Sequence, residues 1–402
     1  MYKLNLDSFL TFKTVLRRFD KQRKKTMLSL LSKMTSYFFA QPSHAMLIKP
    51  AAVKSVVVVR NNSRLGNTVF LIPFLKQLRE ILPEANITLV SKNEWQQDLL
   101  QDCGVDNFYF THLKFRSAFR SLRQLLSLKK QSFDLCLMPC GSAQDAFTCA
   151  FIRSVNKVSF KHRHYQFGFT HTYPKSTLYR HAALQPLSLL AQMWSIPLCP
   201  LDHHLGLNDN ELELGLSVRA AIVDKSSLCI AFFRGARGEK RLSDEQWLTI
   251  IERCNRTSAH PITWVEILGP EISQPLEGDI CHCRSTDLRE LSAFFYHVDG
   301  FISCDTGPLH LADSAGATCI GLYSHTDPAT YGLLGSRGLT VSDIAAFDPK
   351  LVLNHIVRVK QDTTQSQTVS SFSEPIASEK DLNPLNTTTS PPIKASISSM
   401  PW

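Results

Sequence analysis

The most regular feature of the sequence is a series of short apolar runs, each followed by a polar turn and a segment with apolar residues at helical spacing. Lys54 to Arg60 (KSVVVVR) opens the series, and its four consecutive valines suit a strand buried on both faces of a parallel sheet. A polar loop, Asn61 to Asn67, leads into an apolar helix expected from about Val69 to Ile81. Asn86 to Val90 (NITLV) reads as the next strand, and Phe133 to Met138 and Lys157 to Phe160 continue the pattern. Such alternation predicts a doubly wound α/β sheet with crossover helices.

The region from about 170 to 225 is weaker, helical and polar, with Pro174, Pro186, Pro197 and Pro200 as breaks. The passage between two domains is expected near 200–225. The pattern then restarts with strands at Leu228–Phe233, Thr263–Leu268, Gly300–Cys304 and Thr318–Tyr323. Helices are expected between them at Ser243–Cys254, Asp287–Tyr296 and Leu309–Ala315, the first opened by a capping box of Ser243 and Gln246. Two successive α/β halves imply a cleft between them, with ligands beyond the carboxyl ends of the strands.

The ends of the chain differ from this body. Phe9, Phe12, Leu16 and Phe19, then Leu28, Leu31, Met34 and Phe38, fall at helical spacing around the basic run Lys21, Arg23, Lys24, Lys25. From about Gln361 the chain is rich in Ser, Thr and Pro and lacks apolar periodicity, as a disordered tail would. The expected division is a basic amphipathic helical extension over 1–50, a first α/β domain over 51–212, a second over 213–360 and the tail over 361–402. A chain of 402 residues is long enough to bury two cores.

Charge changes the picture only at the N-terminus. Of the net +9, residues 1–50 carry +8, from ten Lys/Arg against two Asp, which leaves the other residues at +1. That distribution argues against a nucleic-acid groove in the body. The amphipathic, basic extension suits the anionic face of a bilayer; the alternative is that its helices pack on the body with their charges solvated. The eleven cysteines form no even framework, and Cys281 with Cys283 lacks a second pair for a zinc site. A reducing cytosol fits them. No run of about eighteen apolar residues predicts a spanning helix, and the N-terminus lacks the cleavage pattern of a secretion signal.

The chemistry concentrates in Phe301 to Gly335, FISCDTGPLHLADSAGATCIGLYSHTDPATYGLLG. A strand ends at Asp305, Thr306 and Gly307 turn tightly, and Pro308 stands where a helix begins and its missing N–H costs nothing. Free N–H groups of a first helical turn beside a glycine form an anion site. DTG alone would be an ordinary turn. DTGPLHLADSAG followed by GLYSHTDP instead resembles the donor-site signature of glycosyltransferase family 9, the ADP-heptose:lipopolysaccharide heptosyltransferases. RNNSRLGNTVFLIP (Arg60–Pro73) resembles the family's first loop and helix, and Leu228–Cys254 the opening of its second domain.

The resemblance implies a GT-B fold of two Rossmann-like domains facing a central cleft. It also implies an ADP-sugar donor bound mainly by the second domain, and inverting transfer of a heptose or related sugar to a lipopolysaccharide inner-core glycolipid. No metal and no cofactor is implied. The enzyme would be cytoplasmic, peripheral on the inner face of the cytoplasmic membrane. By the same resemblance Asp305 would hold the sugar, Thr306, Gly307 and His310 the diphosphate, and Glu271 the nucleoside ribose. Cations after the Leu228–Phe233 strand would meet the phosphates, with Lys240 preferred over Arg234, Arg237 and Arg241. Departure of a nucleoside diphosphate concentrates negative charge that such groups stabilise.

One departure from the family matters. Its first loop reads Gly-Asp, the Asp being the proposed general base, whereas this chain has Gly66-Asn67. An amide can orient a hydroxyl but cannot take its proton. Asp145, after the Phe133–Met138 strand, is the leading replacement base, its bland reading being a carboxylate at a helix N-terminus. His181 resembles a recurring family histidine of core character. The alternatives are a weaker base, a different sugar donor, or a non-catalytic nucleotide-sugar binder in surface-polysaccharide assembly. A dinucleotide oxidoreductase would need G-x-G-x-x-G after a strand, and a P-loop phosphotransferase G-x-x-x-x-G-K-[ST]; the sequence has neither in place.

Overall fold

The computed structural model describes residues 46–371 apart from 112–117, 164–167, 273 and 346. The amphipathic helices expected over 4–39, and the tail beyond 371, lie outside the described residues. By its contacts the chain divides into two units, one of residues 1–63 and 67–206, the other of residues 64–66 and 207–402. No helix among the described residues is long and apolar enough to cross a membrane.

The first unit contains β1 (Ser55–Val59), α1 (Leu65–Val69), α2 (Ile72–Ile81), β2 (Asn86–Ser91), α3 (Trp95–Leu100) and β3 (Asn107–Phe110). It continues with α4 (Ala118–Lys130), β4 (Ser132–Met138), α5 (Ala143–Phe151), β5 (Arg153–Phe160), β6 (His171–Tyr173) and α6 (Gln185–Trp194). Its six strands are all parallel, in the order β3-β2-β1-β4-β5-β6. Val56 to Val59 of the central β1 are fully buried, as their unbroken apolar run requires. The single helix expected over Val69–Ile81 is two. Pro73 lies in the first turn of α2 and has no N–H to offer a preceding turn, so the helix stops at Val69 and restarts at Ile72.

The second unit contains α7 (Asp209–Ile222), β7 (Leu228–Phe233), α8 (Asp244–Thr257), β8 (Ile262–Ile267), β9 (Cys281–Cys283) and α9 (Leu288–His297). Then come β10 (Gly300–Cys304), α10 (Gly307–Ser314), β11 (Cys319–Leu322), α11 (Pro328–Tyr331), β12 (Leu339–Val341) and α12 (Pro349–Ser371). Here too all strands are parallel, in the order β12-β11-β10-β7-β8-β9. A helix runs across each of the two expected boundaries. Position 212 falls inside α7, whose capping box of Asn208 and Glu211 makes it one helix, and Glu211 also pairs with Arg289 of α9. A Cβ on Gly215 would come 2.3 Å from the Ala293 carbonyl oxygen, so the glycine lets α7 and α9 cross closely. Likewise α12 runs on past Lys360 to Ser371.

The core of the second unit is built on Phe232, with the Trp247 ring 5.3 Å away and Trp264 edge-on at 6.0 Å. Truncating any one of these rings to alanine is worth about 3–5 kcal/mol. Ser243 and Gln246 form the capping box that their spacing predicts, fixing where α8 leaves the β7 loop.

The sheet orders matter for function. From β1 the chain moves outward through β2 and β3, then returns to lay β4 on the other side of β1; β7 and β10 repeat the manoeuvre. Each sheet therefore has a topological switch point, between β1 and β4 and between β7 and β10. The carboxyl ends of such neighbouring strands are where ligands bind in open α/β sheets.

Candidate functional site

At the β7/β10 switch point Asp305 follows directly on β10, and Lys240 ends a short helical turn, Gly238–Lys240, in the loop after β7. The Lys240 ammonium lies 2.5 Å from Asp305 Oδ2, and His310 Nε2 lies 3.0 Å from Oδ1. Burial would raise the Asp305 carboxyl, but hydrogen bonds from His310 and Lys240, with their charge, outweigh it and hold it down at about 2. The pair of partners therefore fixes an ionised carboxylate at the mouth of α10. Pro308 stands in the first turn of this helix, leaving the N–H groups of Gly307 and Leu309 among the unsatisfied donors there. The structure thus brings Lys240 and His310 together on Asp305, next to Gly307 at the start of α10.

Thr306 is placed with them but its hydroxyl is engaged elsewhere. Ser303 Oγ lies 3.1 Å from the Phe233 carbonyl, to which it donates, and shares a 2.9 Å hydrogen bond with Thr306 Oγ1. Deeper in α10, Asp313 accepts the N–H groups of Leu334 (2.7 Å) and Gly335 (3.1 Å), tying down the chain after α11.

Arg234 departs from its expected place among the phosphate cations. It is buried, pairs with Glu266 and, at 2.9 Å, with Asp244, and donates to the Gln274 carbonyl. Glu266 is fully buried at the end of β8 and also accepts the Leu276 N–H at 2.8 Å. The guanidinium is therefore a clamp that joins the loops after β7 and β8, which carry Lys240 and Glu271. Buried charges persist only when paired in this way. Arg237 and Arg241 are exposed. Glu271 is also exposed, on the turn closed by the Ile272 N–H to Gly269 carbonyl bond, and no hydrogen bond joins it to Lys240, Asp305 or His310 among the described residues.

The β1/β4 switch point is built from similar parts in a different state. Asp145 sits in the first turn of α5, capped by Ser142, and accepts the Asn61 N–H at 2.7 Å. Arg60 Nη1 is 3.7 Å from Asp145 Oδ2, while the Asn61 amide donates to Thr148 and accepts from Thr111. Asp145 is 0% exposed, and Oδ2 has no hydrogen-bond partner among the described residues. Burial raises its carboxyl against the lowering effect of Arg60 and the hydrogen bonds from Asn61 and Ser142. The open base expected at Asp145 is thus a buried carboxylate that fastens the β1 loop, because α5 begins underneath that loop. Asn67 lies half-buried in α1 and makes no hydrogen bond among the described residues. His181 is buried; its Nδ1 accepts the Ala183 N–H at 3.1 Å and its ring meets Phe70 edge-on, a core role.

Two all-parallel six-stranded sheets with their crossover helices make up the GT-B fold. A family model described as glycosyltransferase family 9 (heptosyltransferase) matches residues 120–352, and the chain belongs to that family of sugar-transferring enzymes. Solved structures share the fold. The glycosyl transferase family 9 protein from Veillonella parvula DSM 2008 is 19% identical, with a TM-score of 0.63 over 82% of this chain and 99% of that one. The E. coli ADP-heptose lps heptosyltransferase II is 14% identical, with a TM-score of 0.61 over 77% and 99%. E. coli heptosyltransferase WaaC with ADP is 14% identical, with a TM-score of 0.57 over 77% and 99%. No curated protein sequence matches the chain.

Proposed function

We propose that this family 9 enzyme transfers a heptose or related sugar from an ADP-sugar to the inner core of a lipopolysaccharide glycolipid. It would act at the inner face of the cytoplasmic membrane, with its basic N-terminal extension on the anionic lipid surface. The observation that carries this reading is the Lys240–Asp305–His310 cluster at the N-terminus of α10. A diphosphate placed there meets the Gly307 and Leu309 N–H groups and the Lys240 ammonium, which stabilise the charge that develops as the sugar leaves. Asp305, kept ionised, accepts hydrogen bonds from sugar hydroxyls, and Glu271, exposed beyond β8, accepts those of the ribose. ADP as the nucleotide is supported by the ADP and ADP-2-deoxy-2-fluoro heptose named with the WaaC structures.

Proton transfer from the acceptor is the step in which this chain departs from its family, since Asn67 has no basicity. We propose that Asn67 orients the acceptor hydroxyl, whose proton passes to solvent water as its oxygen bonds the sugar and the diphosphate departs, and that Asp145 acts on the step only through the loop it holds. The test is turnover of ADP-heptose with a truncated inner-core acceptor by the native chain, Asn67→Asp and Asp145→Asn. Product from the native chain, retained in Asp145→Asn when its fold is retained, supports the reading. ADP-heptose binding without product, and gain of product in Asn67→Asp, would make the native chain a binder that has lost its base. No binding of ADP-heptose would overturn the donor assignment.

A further inference from the structure

Gly66 lies within the short helix α1, and Gly307 opens α10. Neither is among the glycines with positive φ, so the backbone at both positions is open to any residue. Inside a helix a glycine is less stable than an alanine. At Gly66 some other demand therefore outweighs helix propensity.

That demand is space. A Cβ on Gly66 would stand 3.1 Å from His310 Cδ2 and 3.6 Å from Gly307 Cα. A Cβ on Gly307 would stand 2.9 Å from Leu65 Cβ and 3.3 Å from the Gly66 nitrogen. The backbone at Leu65 and Gly66 thus lies directly on the first turn of α10. By their contacts residues 64–66 belong to the second unit, while the chain on either side of them belongs to the first.

His310 has little room to yield to a methyl group at position 66. It is 4% exposed, and its Nε2, bonded to the Cδ2 that the methyl would meet, holds the 3.0 Å hydrogen bond to Asp305 Oδ1. The imidazole is rigid, so displacing Cδ2 carries Nε2 with it. Asp305 depends on that bond, because His310 and Lys240 are the partners that keep its carboxyl ionised.

We propose that Gly66 is a positioning residue of the donor site: its missing side chain leaves the His310 ring seated on Asp305, and so keeps that carboxylate aimed at the donor sugar. Gly66 acts through His310 and is not itself a catalytic residue. The seating of the ring rests on the geometry alone; its consequence for the donor rests on the function proposed above.

The experiment compares the full native chain with Gly66→Ala, His310→Ala and the double variant. Calorimetry with ADP-heptose is expected to show a loss of affinity of about tenfold for Gly66→Ala, and of less than about twofold for the same change in the His310→Ala background. Equal losses in the two backgrounds, or no loss in the first, overturn the proposal. A second reading needs no donor. In chains carrying 13C,15N-histidine, the His310 ring signals, identified by their absence in His310→Ala, should move more in Gly66→Ala than those of any other histidine. An unmoved His310 ring overturns the proposal. A moved ring in a chain that binds no ADP-heptose supports the seating and overturns only the donor assignment. Should Gly66→Ala fold poorly, melting temperatures carry the same cycle. Its penalty is then expected to vanish in the His310→Ala background, and a penalty of equal size in both backgrounds overturns the proposal.

Discussion

The two switch points are built to one plan and finished in opposite ways. In each, a carboxylate beyond the second strand faces a cation from the loop beyond the first: Asp145 with Arg60, and Asp305 with Lys240. Asp145 is sealed off, its cation stands 3.7 Å away, and its carboxyl is raised. Asp305 keeps a little solvent and two close partners, and is held down at about 2. Position at the end of a strand makes a carboxylate a candidate. Its partners and hydration decide how open that carboxylate is to a ligand.

The largest expected effect tests that division directly. Lys240→Met should lower kcat/KM for the donor by about two to three decades, the range seen when one group stabilising transition-state charge is removed. Arg60→Met should leave donor affinity near native. Equal losses of donor affinity in calorimetry would break the comparison. Next comes the clamp. Arg234→Met leaves Glu266 buried and unpaired, and urea unfolding should show a loss of about 3–5 kcal/mol. Adding Glu266→Gln should restore most of it.

The carboxylates should also give opposite pH signatures. Asp305 is depressed, so its stabilisation is present above the ordinary carboxylate value of 3.8 and lost as pH falls toward about 2. Asp145 is raised, so its contribution is complete below 3.8 and lost as pH rises through its folded-state value. Melting temperatures of Asp305→Asn and Asp145→Asn against the native chain, followed from acid to neutral pH, should diverge in opposite senses. Parallel curves would remove the distinction. The smallest effect concerns Thr306→Val, which removes a hydroxyl turned toward Ser303. It should cost about 1 kcal/mol of stability and change donor affinity by less than about threefold; a tenfold loss of affinity would return that hydroxyl to the phosphate.

Much of this was legible in the sequence, and the gaps have a common cause. The central strands β1, β4, β7 and β10 announce themselves as apolar runs because both their faces are covered. The strands that the hydrophobic pattern does not reveal, β3, β6, β9 and β12, are the four edges of the two sheets. They are three or four residues long and mostly half-exposed, so no run marks them. Cys281 and Cys283, which look like half a metal site, are simply alternate residues of the edge strand β9. At the sites, the DTG turn and Lys240 are readable because motif and strand end coincide. The burial of Asp145 and the clamp of Arg234 are not, because each depends on which loop lies over a side chain, and that is set by the sheet order.

That order has a consequence for synthesis. Val57 pairs with Cys136, so β1 acquires its second neighbour only when a segment roughly eighty residues downstream is made. Until then a ribosome-bound chain exposes one flank of a run of four valines, a segment apt to pair with other nascent chains. The strand β2 can shelter only its other flank. Slow elongation between Asn86 and Phe133 is therefore where aggregation would begin, and where a holding chaperone would find most to bind.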